Sequence, residues 1–532
     1  MANRCLSDLA DYVRKNGKQT CRNLADILGT SKSSVHRRQQ KEEKRSHTPA
    51  ASFFESEEGR RFILRVVIAA IFVFGITVGV GAKRISLFFT LINISQFAAV
   101  STSRIFKIEN DIEELIIKFK GKADSNVKSK ASDLDITVGA DETFFDHLML
   151  LVLMDLNSGF IFVEKSADKR DHATWENYSL SWMSEFKKIR CFVSDKAKAL
   201  LKLAKDSLGV DRMPDLFHMM NDVTTVMKFS FARLKKSNEK SIAEINKQID
   251  KDEDNLKNKD TLINIQAKQK TLSVDQSNYQ RNQRKLSAAL HPFRILSTHS
   301  QTSSDVRQKM ESSLAKIRII QKRHEISDAK KKLDRVERQI PDAAKQIDLW
   351  WGWVNTSLDS EDITPELKDW LLHYLLPFIY WRSQLRKTRS KKIKRYYQIS
   401  IRNAEVKLNA HPMTATLMPK DRQKESAWVN WAQQMTNIFL RTTSAVEGRN
   451  GWLSQVHFNG RGLSEKRIES QTAIHNYFLK RDDNTTACER LTGEKPEDLF
   501  EYILKNIGPL KEPRKYKTQN NAKALILQTV PA

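Results

Sequence analysis

The amino-acid sequence predicts a mixed α/β fold in which one β-sheet is accompanied by large helical segments. Short apolar and alternating runs are concentrated between residues 136 and 217, where strands and helices follow one another. The segments on both sides carry the three- and four-residue apolar spacing of helices. At roughly 150 residues per domain, a chain of 532 residues is expected to form about three or four domains.

The charge and the cysteine content limit the classes of function. The chain has 90 Lys and Arg against 64 Asp and Glu, a net charge of +26, and the cations are spread over several segments. This excess indicates a polyanionic partner along an extended surface, with nucleic acid favoured over an anionic membrane surface. The four cysteines, Cys5, Cys21, Cys191 and Cys488, are far apart, which indicates isolated thiols in a reducing cytoplasm.

Residues 1–45 are predicted to form a helical DNA-binding domain. Leu6–Val13 and Cys21–Leu28 have helical spacing, and a third helix is expected to begin after a cap at Ser33. The pattern resembles the helix-turn-helix of bacterial DNA-binding proteins, and a plain three-helix bundle is the alternative. The resemblance implies that four residues face the major groove: Ser33, Ser34, Arg37 and Arg38.

Residues 46–134 are predicted to be a polar linker followed by a second helical domain. Its role is left open between DNA contact and dimerisation. Val66–Ala82 is uncharged and strongly apolar, but it is slightly short for a membrane span and contains three glycines. A buried helix is therefore favoured over a membrane anchor, and no membrane association is expected.

Residues 135–235 are predicted to hold the sheet. Ile136 and Val138 indicate a central strand that ends in Asp141, and Leu148–Met154 and Phe160–Val163 complete an antiparallel meander around a turn at residues 157–159. Asp155 is interpreted as a turn residue. Asp141 is therefore the candidate catalytic carboxylate of this segment.

A second strand-end carboxylate follows in the same segment. His172–Phe186 is predicted to be a helix, Ile189–Val193 a strand that leads into Asp195, and Met213–Phe217 a last strand. This order is that of an RNase H-like core, by analogy with the fold alone. In that fold the strands of Asp141 and Asp195 are neighbours, which would bring both carboxylates to common metal ions.

The remaining segments are predicted to be mainly helical. Residues 236–345 are expected to be a helical hairpin inserted into the core, with a spacer or dimerisation arm as the alternative. Residues 346–424 combine a tryptophan-rich core with a cationic run that either follows a phosphate backbone or is a solvated helical face. Residues 425–510 would complete the catalytic domain with a helix carrying Glu447, before a basic tail at 511–532. The cationic run contributes Arg386, Lys387, Lys391, Lys392, Lys394 and Arg395 as candidate DNA-binding residues.

Four motifs together resemble bacterial insertion-sequence transposases of the DDE type. They are Gly-Ala-Asp-Glu at 139–142, Val-Ser-Asp-Lys-Ala-Lys-Ala-Leu at 193–200, Pro-Asp-Leu-Phe-His at 214–218 and Ser-Ala-Val-Glu-Gly-Arg-Asn at 444–450. The resemblance covers residues 136 to about 503 and is interrupted by the helical insertion.

The resemblance implies a function and a set of site residues. Asp141, Asp195 and Glu447 would hold Mg²⁺, with Mn²⁺ as a substitute, for two-metal cleavage and strand transfer. His218 would lie near the active site or be structural, and Arg449 would contact DNA. The partners would be transposon ends and target DNA, bound by a homo-oligomer in the bacterial cytoplasm at the nucleoid. The alternatives are a transposase-derived regulator without catalysis and an RNase H-like nuclease.

Overall fold

The computed structural model divides the chain into two compact units. The first comprises residues 1–126, 452–486 and 495–532, and the second comprises 127–451 and 487–494. The structure describes residues 19–43, 53–54, 56–251, 256–359, 363–388, 390–417, 427–440, 443–460 and 462–512. The segment predicted to complete the catalytic domain, 425–510, is thus shared between the two units. The sequence predicts more segments than these two units, and the other predicted domain boundaries stay predictions.

The described N-terminal part of the first unit is a pair of helices, α1 (Cys21–Leu28) and α2 (Lys32–Glu43). Thr20 caps α1 by accepting the Asn23 N–H, and Gly29, with φ of +58°, ends it in the left-handed conformation that glycine tolerates. Leu24 and Val35 are fully buried between the helices. The predicted helix at 21–28 is confirmed. The next helix begins at Lys32 rather than after Ser33, and the predicted helix at residues 6–13 lies outside the described residues.

The rest of the first unit is helical. Val66–Ala82 forms the end of α3, a π-helical turn and the connection to the next helix, and Val67, Ile68 and Phe72 in this segment are fully buried. The Phe72 ring contacts Phe478 at 4.9 Å between centroids. Among the described residues, no helix has both the length and the apolar character needed to cross a membrane. The helices are α3 (Glu57–Ala70) with its π turn (Ile71–Thr77), α4 (Ala82–Leu91), α5 (Thr102–Lys128), α19 (Glu465–Tyr477) and α21 (Leu499–Asn506).

The second unit contains a mixed five-stranded sheet in the order β3-β2-β1-β4-β5. β1 pairs antiparallel with β2 and parallel with β4; β2–β3 is antiparallel and β4–β5 is parallel. The predicted mixed α/β fold and the central position of the strand carrying Asp141 are confirmed. The strands are β1 (Asp135–Phe145), β2 (Leu148–Asp155), β3 (Ile161–Ser166), β4 (Lys188–Ser194) and β5 (Arg212–Pro214).

Both faces of the sheet are covered, because alternate side chains of each strand point to opposite sides. On one face Ile161 and Val193 pack with Val446 of α18 (Ser444–Gly460). On the other face Phe162 packs against Trp182 of α6 (His172–Met183), with 5.4 Å between ring centroids. Helix α7 (Lys198–Lys202) and a π turn (Leu203–Ser207) connect β4 to β5.

The long helical tract after β5 folds back twice. Its helices are α8 (Leu216–Ile249), α9 (Leu256–Ala289), α10 (Ser303–Arg323) and α11 (Ser327–Glu337). Tyr279 of α9 donates to the Val223 carbonyl of α8 at 3.3 Å, so the two helices run antiparallel. The expected hairpin with a break near residue 291 is confirmed: α9 ends at Ala289, α10 begins at Ser303, and Arg323 of α10 donates to Asp275 of α9 at 2.8 Å, so these two helices are also antiparallel. Helix α8 forms a further leg before α9.

The helices that follow share one apolar core with helices α8 to α11. Trp350, Trp370 and Trp381 are fully buried there, which confirms the interpretation of the tryptophan-rich segment as core. The helices are α12 (Ile340–Asp359), α13 (Pro365–Trp370) with a π turn (Leu371–Leu375), α14 (Leu376–Lys387), α15 (Lys391–Ala410), α16 (Pro412–Leu417) and α17 (Ala427–Ile438), and α20 (Ala487–Thr492) belongs to the same unit.

Candidate active site

Asp141 and Asp195 lie at matching positions on neighbouring parallel strands. Gly139 of β1 is paired with Val193 of β4, and each aspartate follows its paired residue by two positions. Because neighbouring strands lie about 4.8 Å apart, Asp141 lies beside the carboxyl end of β4, which Asp195 follows. The prediction that the central strand ends at Asp141 is wrong, because β1 continues to Phe145 and pairs Asp141 with Val152 of β2. The predicted adjacency of the two strands is confirmed.

The β1 strand is held in place by a close approach and by a buried carboxylate. A Cβ atom on Gly139 would lie 2.4 Å from Leu156 Cδ2, so only glycine lets that leucine pack against the strand. Asp155 is buried and accepts the Thr137 N–H at 2.9 Å and the Ser158 N–H at 2.7 Å. Burial raises the pKa of Asp155, and these hydrogen bonds oppose that rise. The interpretation of Asp155 as a turn residue is confirmed.

Asp215 joins the start of helix α8 to the start of helix α18. Its carboxylate caps α8 by accepting the Phe217 N–H at 2.7 Å, and it is within 3.0 Å of His218 Nδ1. The same carboxylate accepts hydrogen bonds from the backbone N–H and the hydroxyl of Thr443. β5 is therefore shorter than the predicted strand at 213–217, because Asp215 ends it and begins the helix.

Glu447 is brought to the sheet edge one helical turn after Thr443. Its N–H donates to the Thr443 carbonyl at 3.1 Å. One ligand atom each from Asp141, His218 and Glu447 lie within 4.8 Å of one another, and His218 Nε2 is 3.8 Å from Glu447 Oε1. The His218 and Glu447 side chains are each 36% exposed, so the group is open to solvent.

The charges of this group perturb one another. Burial, opposed by His218 and reinforced by the negative charges of Glu447 and Asp195, raises the pKa of Asp141 to about 7. The hydrogen bond to Asp215 raises the pKa of His218 to about 9 despite partial burial. Burial would raise the pKa of Asp215, but its hydrogen bonds from His218 and Thr443 hold that pKa below its usual value. The raised pKa of His218 favours its protonated form beside these carboxylates.

Asp195 is next to this group but does not join it. Its Oδ1 accepts the Ala197 N–H at 2.8 Å, at the start of the loop into α7. Burial is the main cause of the raised pKa values of Asp141 and Glu142. The negative charge of Asp195 raises both pKa values further. Glu142 itself pairs with Arg170 at 3.2 Å. Of the three predicted metal ligands, two converge together with His218, and the third lies at the neighbouring strand end.

A buried ion pair ties the Glu447 helix to the sheet. Arg449 Nε donates to Glu164 Oε1 at 2.8 Å, and its second nitrogen donates to Oε2 at 2.6 Å. Both side chains are at most 1% exposed. The prediction that Arg449 contacts DNA is therefore wrong, because its guanidinium is committed to Glu164 inside the unit.

The other predicted DNA-binding residues lie on two separate helical surfaces. Ser33 and Arg37 are exposed and Ser34 is half-buried on α2, while the side chain of Arg38 lies outside the described residues. The cations of the second surface are exposed on α14 and α15: Arg386, Lys387, Lys391, Lys392, Lys394 and Arg395. Their binding role stays a prediction.

Sequence reasoning missed the residues that position the group. Asp215 has a local signal, because it stands at the start of a helix and three residues before a histidine. Its hydrogen bonds with Thr443 have none, since the two residues are 228 positions apart. Glu164 and Arg449 are separated by 285 residues. Such pairings have no local sequence signature.

Part of the chain matches the model of a protein family. A family model described as a family of unknown function, DUF6399, matches residues 371–519. No curated protein matches the chain. The matched range contains Glu447 and Arg449, and it leaves out Asp141, Asp195 and His218.

Proposed function

We propose that the protein is a DNA transposase of the DDE type with an RNase H-like core, which cleaves transposon ends and joins them to target DNA. The observation that carries this proposal is the meeting of Asp141, from the central strand, with Glu447, from a helix 306 positions later, beside the strand end that bears Asp195. The strand order β3-β2-β1-β4-β5, with one antiparallel and one parallel half, supports the same core. The net charge of +26 supports DNA as the substrate.

The residues of the site fit a hard divalent cation. Asp141 and Glu447 offer carboxylate oxygens, the donors that Mg²⁺ prefers, and Mn²⁺ accepts the same donors. The raised pKa of Asp141 follows from burial and neighbouring negative charge, so a cation at this position would be stabilised. Asp141 and Glu447 would coordinate the metal ion. Asp195, at the adjacent strand end, would coordinate the same ion or a second one.

The residues around the carboxylates have separate parts in the proposed reaction. A metal ion held by these carboxylates would lower the pKa of a water molecule or of a DNA 3′-hydroxyl, and it would stabilise the leaving oxygen. Asp215 orients the His218 ring and favours its protonated form. Nε2 of His218 lies 3.8 Å from Glu447 Oε1, and from there a protonated ring would donate a proton to an oxygen leaving the phosphate. Arg449 and Glu164 keep the first turns of α18 on the sheet, and so position Glu447.

The experiment that tests this function is a cleavage and strand-transfer assay with DNA from both ends of the genetic element that encodes the chain. The wild type should cleave at the ends and join the 3′ ends to a second duplex with Mg²⁺ or Mn²⁺. Asp141→Asn, Asp195→Asn and Glu447→Gln should each lower the rate by at least about a hundredfold. Asp168→Asn, an exposed aspartate between β3 and α6, is the matched control and should remain active.

Three results would contradict the proposal. Full strand transfer by Asp141→Asn and Asp195→Asn proteins would remove the carboxylate mechanism. Cleavage of branched DNA or RNA–DNA hybrids without joining would instead assign the site to a nuclease. DNA binding by the wild type without cleavage under either metal would assign the chain to the regulators.

A further inference from the structure

Helices α14 and α17 line a cleft in the second unit, and three cations and two amides lie around it together with Ser383, Ile379 and Val429. Its volume is about 440 Å³. Arg382, Arg386 and Lys387 reach it from α14, and Gln433 and Asn437 reach it from α17. None of the residues that line it is acidic. The cleft therefore concentrates positive charge at a concave surface, as sites for anionic ligands do.

The two arginines are oriented by uncharged partners. Arg386 donates to Gln433 Oε1 at 3.2 Å, and Gln433 donates in turn to Asn437 Oδ1 at 3.1 Å. The Arg382 guanidinium lies over the Phe378 ring, 5.3 Å from its centroid. Within the part of the chain that the structure describes, neither arginine forms an ion pair. Their charges are thus held in place without being neutralised, which favours a bound anion.

The cationic surface continues beyond the cleft onto α15. Lys387 ends α14 and Lys391 begins α15, so the two helix ends are within about 14 Å of each other along the chain. The first turn of α15 contains no acidic residue, and Ser390 caps it. Four exposed cations occupy its first two turns without a described ion-pair partner: Lys391, Lys392, Lys394 and Arg395. The positive end of the helix dipole adds to their field.

This arrangement costs free energy unless an anion is bound, since like charges repel one another. A small anion would neutralise the cleft alone, whereas a chain of phosphates could contact the cleft and the α15 turn together. Arg presents several donors in a planar fork that suits phosphate oxygens. We propose that the cleft between α14 and α17, with the first turns of α15, binds consecutive backbone phosphates of DNA.

The proposal rests on DNA as the substrate of the proposed function. It assigns the contact with the DNA strand to a surface whose lining residues do not include the three carboxylates. The contact is made with phosphate and sugar, so it carries no base specificity. Each phosphate contact releases counterions, so the surface should contribute to the dependence of affinity on salt concentration.

The test is binding of labelled duplex DNA in EDTA, measured by fluorescence anisotropy between 50 and 250 mM salt with the full-length chain. EDTA prevents catalysis, so binding is measured whether or not the carboxylates act. Arg382→Ala/Arg386→Ala should weaken binding by at least roughly tenfold at 0.1 M salt and lower the salt slope by about two. Lys257→Ala/Lys259→Ala is the matched control, because it removes two exposed cations of α9 outside the cleft, and it should bind like the wild type.

Two further variants separate charge from folding. Arg382→Lys/Arg386→Lys keeps the charge, and it should keep most of the salt slope but lose affinity. Gln433→Leu removes the partner of Arg386 without changing charge, and it should weaken binding severalfold with an unchanged thermal midpoint.

The outcomes distinguish this proposal from the proposed function. Equal affinity and salt slope for the wild type and Arg382→Ala/Arg386→Ala, or no binding of DNA by the wild type, overturns the cleft assignment. Binding of ATP that depends on the two arginines, without binding of DNA, would assign the cleft to a free nucleotide and also overturn it. If the double variant loses DNA binding while the wild type shows no cleavage, the cleft assignment stands and the transposase proposal fails.

Discussion

Arg449 and Glu164 form a two-point ion pair in the interior, with both side chains at most 1% exposed. Removing one partner of such a pair leaves an uncompensated buried charge, which costs about 3–5 kcal/mol. Arg449→Met and Glu164→Leu should each lower the free energy of unfolding by that amount in urea titrations. The double variant Glu164→Leu/Arg449→Met should recover most of the loss, because no buried charge remains. Additive losses would show that the two side chains do not depend on each other.

The close contact between Gly139 and Leu156 predicts a specific pair of compensating changes. The Cβ of Gly139→Ala would meet Leu156 Cδ2 at 2.4 Å, and the overpacking should cost about 1–3 kcal/mol. Leu156→Ala alone should cost about 2–5 kcal/mol by leaving a cavity. The double variant should lose less than the sum of both, since the new methyl group occupies freed space. A double-mutant cycle in urea measures this coupling, and a coupling energy near zero would contradict the contact.

The stability of the metal-free protein should fall as the pH rises from 6 to 9. The raised pKa of His218 means that its stabilisation is complete below its usual pKa of 6.5 and is lost as the pH rises through about 9. The raised pKa of Asp141 has the same sign, because ionising this buried acid costs stability until about pH 7 is passed. Thermal unfolding midpoints in EDTA should therefore decrease over this range.

The matched variant for this pH effect is Asp141→Asn/His218→Gln, which removes both titrating groups. Its midpoint should change less between pH 6 and 9 than that of the wild type. A wild-type midpoint that rises with pH would contradict the charge arrangement of the site.

Divalent metal should stabilise the folded chain through the same carboxylates. Mg²⁺ or Mn²⁺ that binds the folded state at a hundred times its Kd adds about 2.7 kcal/mol. Thermal midpoints should rise with metal for the wild type and for Asp168→Asn, and they should rise much less for Asp141→Asn and Glu447→Gln. An equal rise in all four proteins would place the metal elsewhere.

The sheet could be predicted from sequence because its signals are local. Leu148–Met154 is an uninterrupted apolar run, and Asn157 to Gly159 marks the turn after it, so strand and turn could be located without tertiary information. Strand ends were less certain. Met213 to Phe217 looked like one strand because its apolar residues flank Asp215, and the capping of α8 by that residue divides the segment.

The sequence predicts which residues belong to the candidate site better than it predicts how their side chains are arranged. The motifs predict Asp141, Asp195 and Glu447 as site residues. The three-residue spacing between Asp215 and His218 predicts that His218 lies near the site or is structural. The motifs contain nothing about the rotamer of Asp195, whose carboxylate bonds to the Ala197 N–H instead of joining the other two. Nor could the motif around Glu447 show that Arg449 points inward, because its partner Glu164 lies on β3, far away in sequence.

The long helical tract between the two halves of the site has a consequence for synthesis on the ribosome. Glu447 follows Asp195 by 252 positions, so a nascent chain that has already made the sheet must be extended for roughly 10–50 seconds before the third carboxylate emerges. During that interval Glu164 lacks Arg449, and the β3 edge keeps a solvated charge where the α18 helix will later dock. The nascent protein thus remains without Glu447 in its candidate site until the long helical tract has been synthesised.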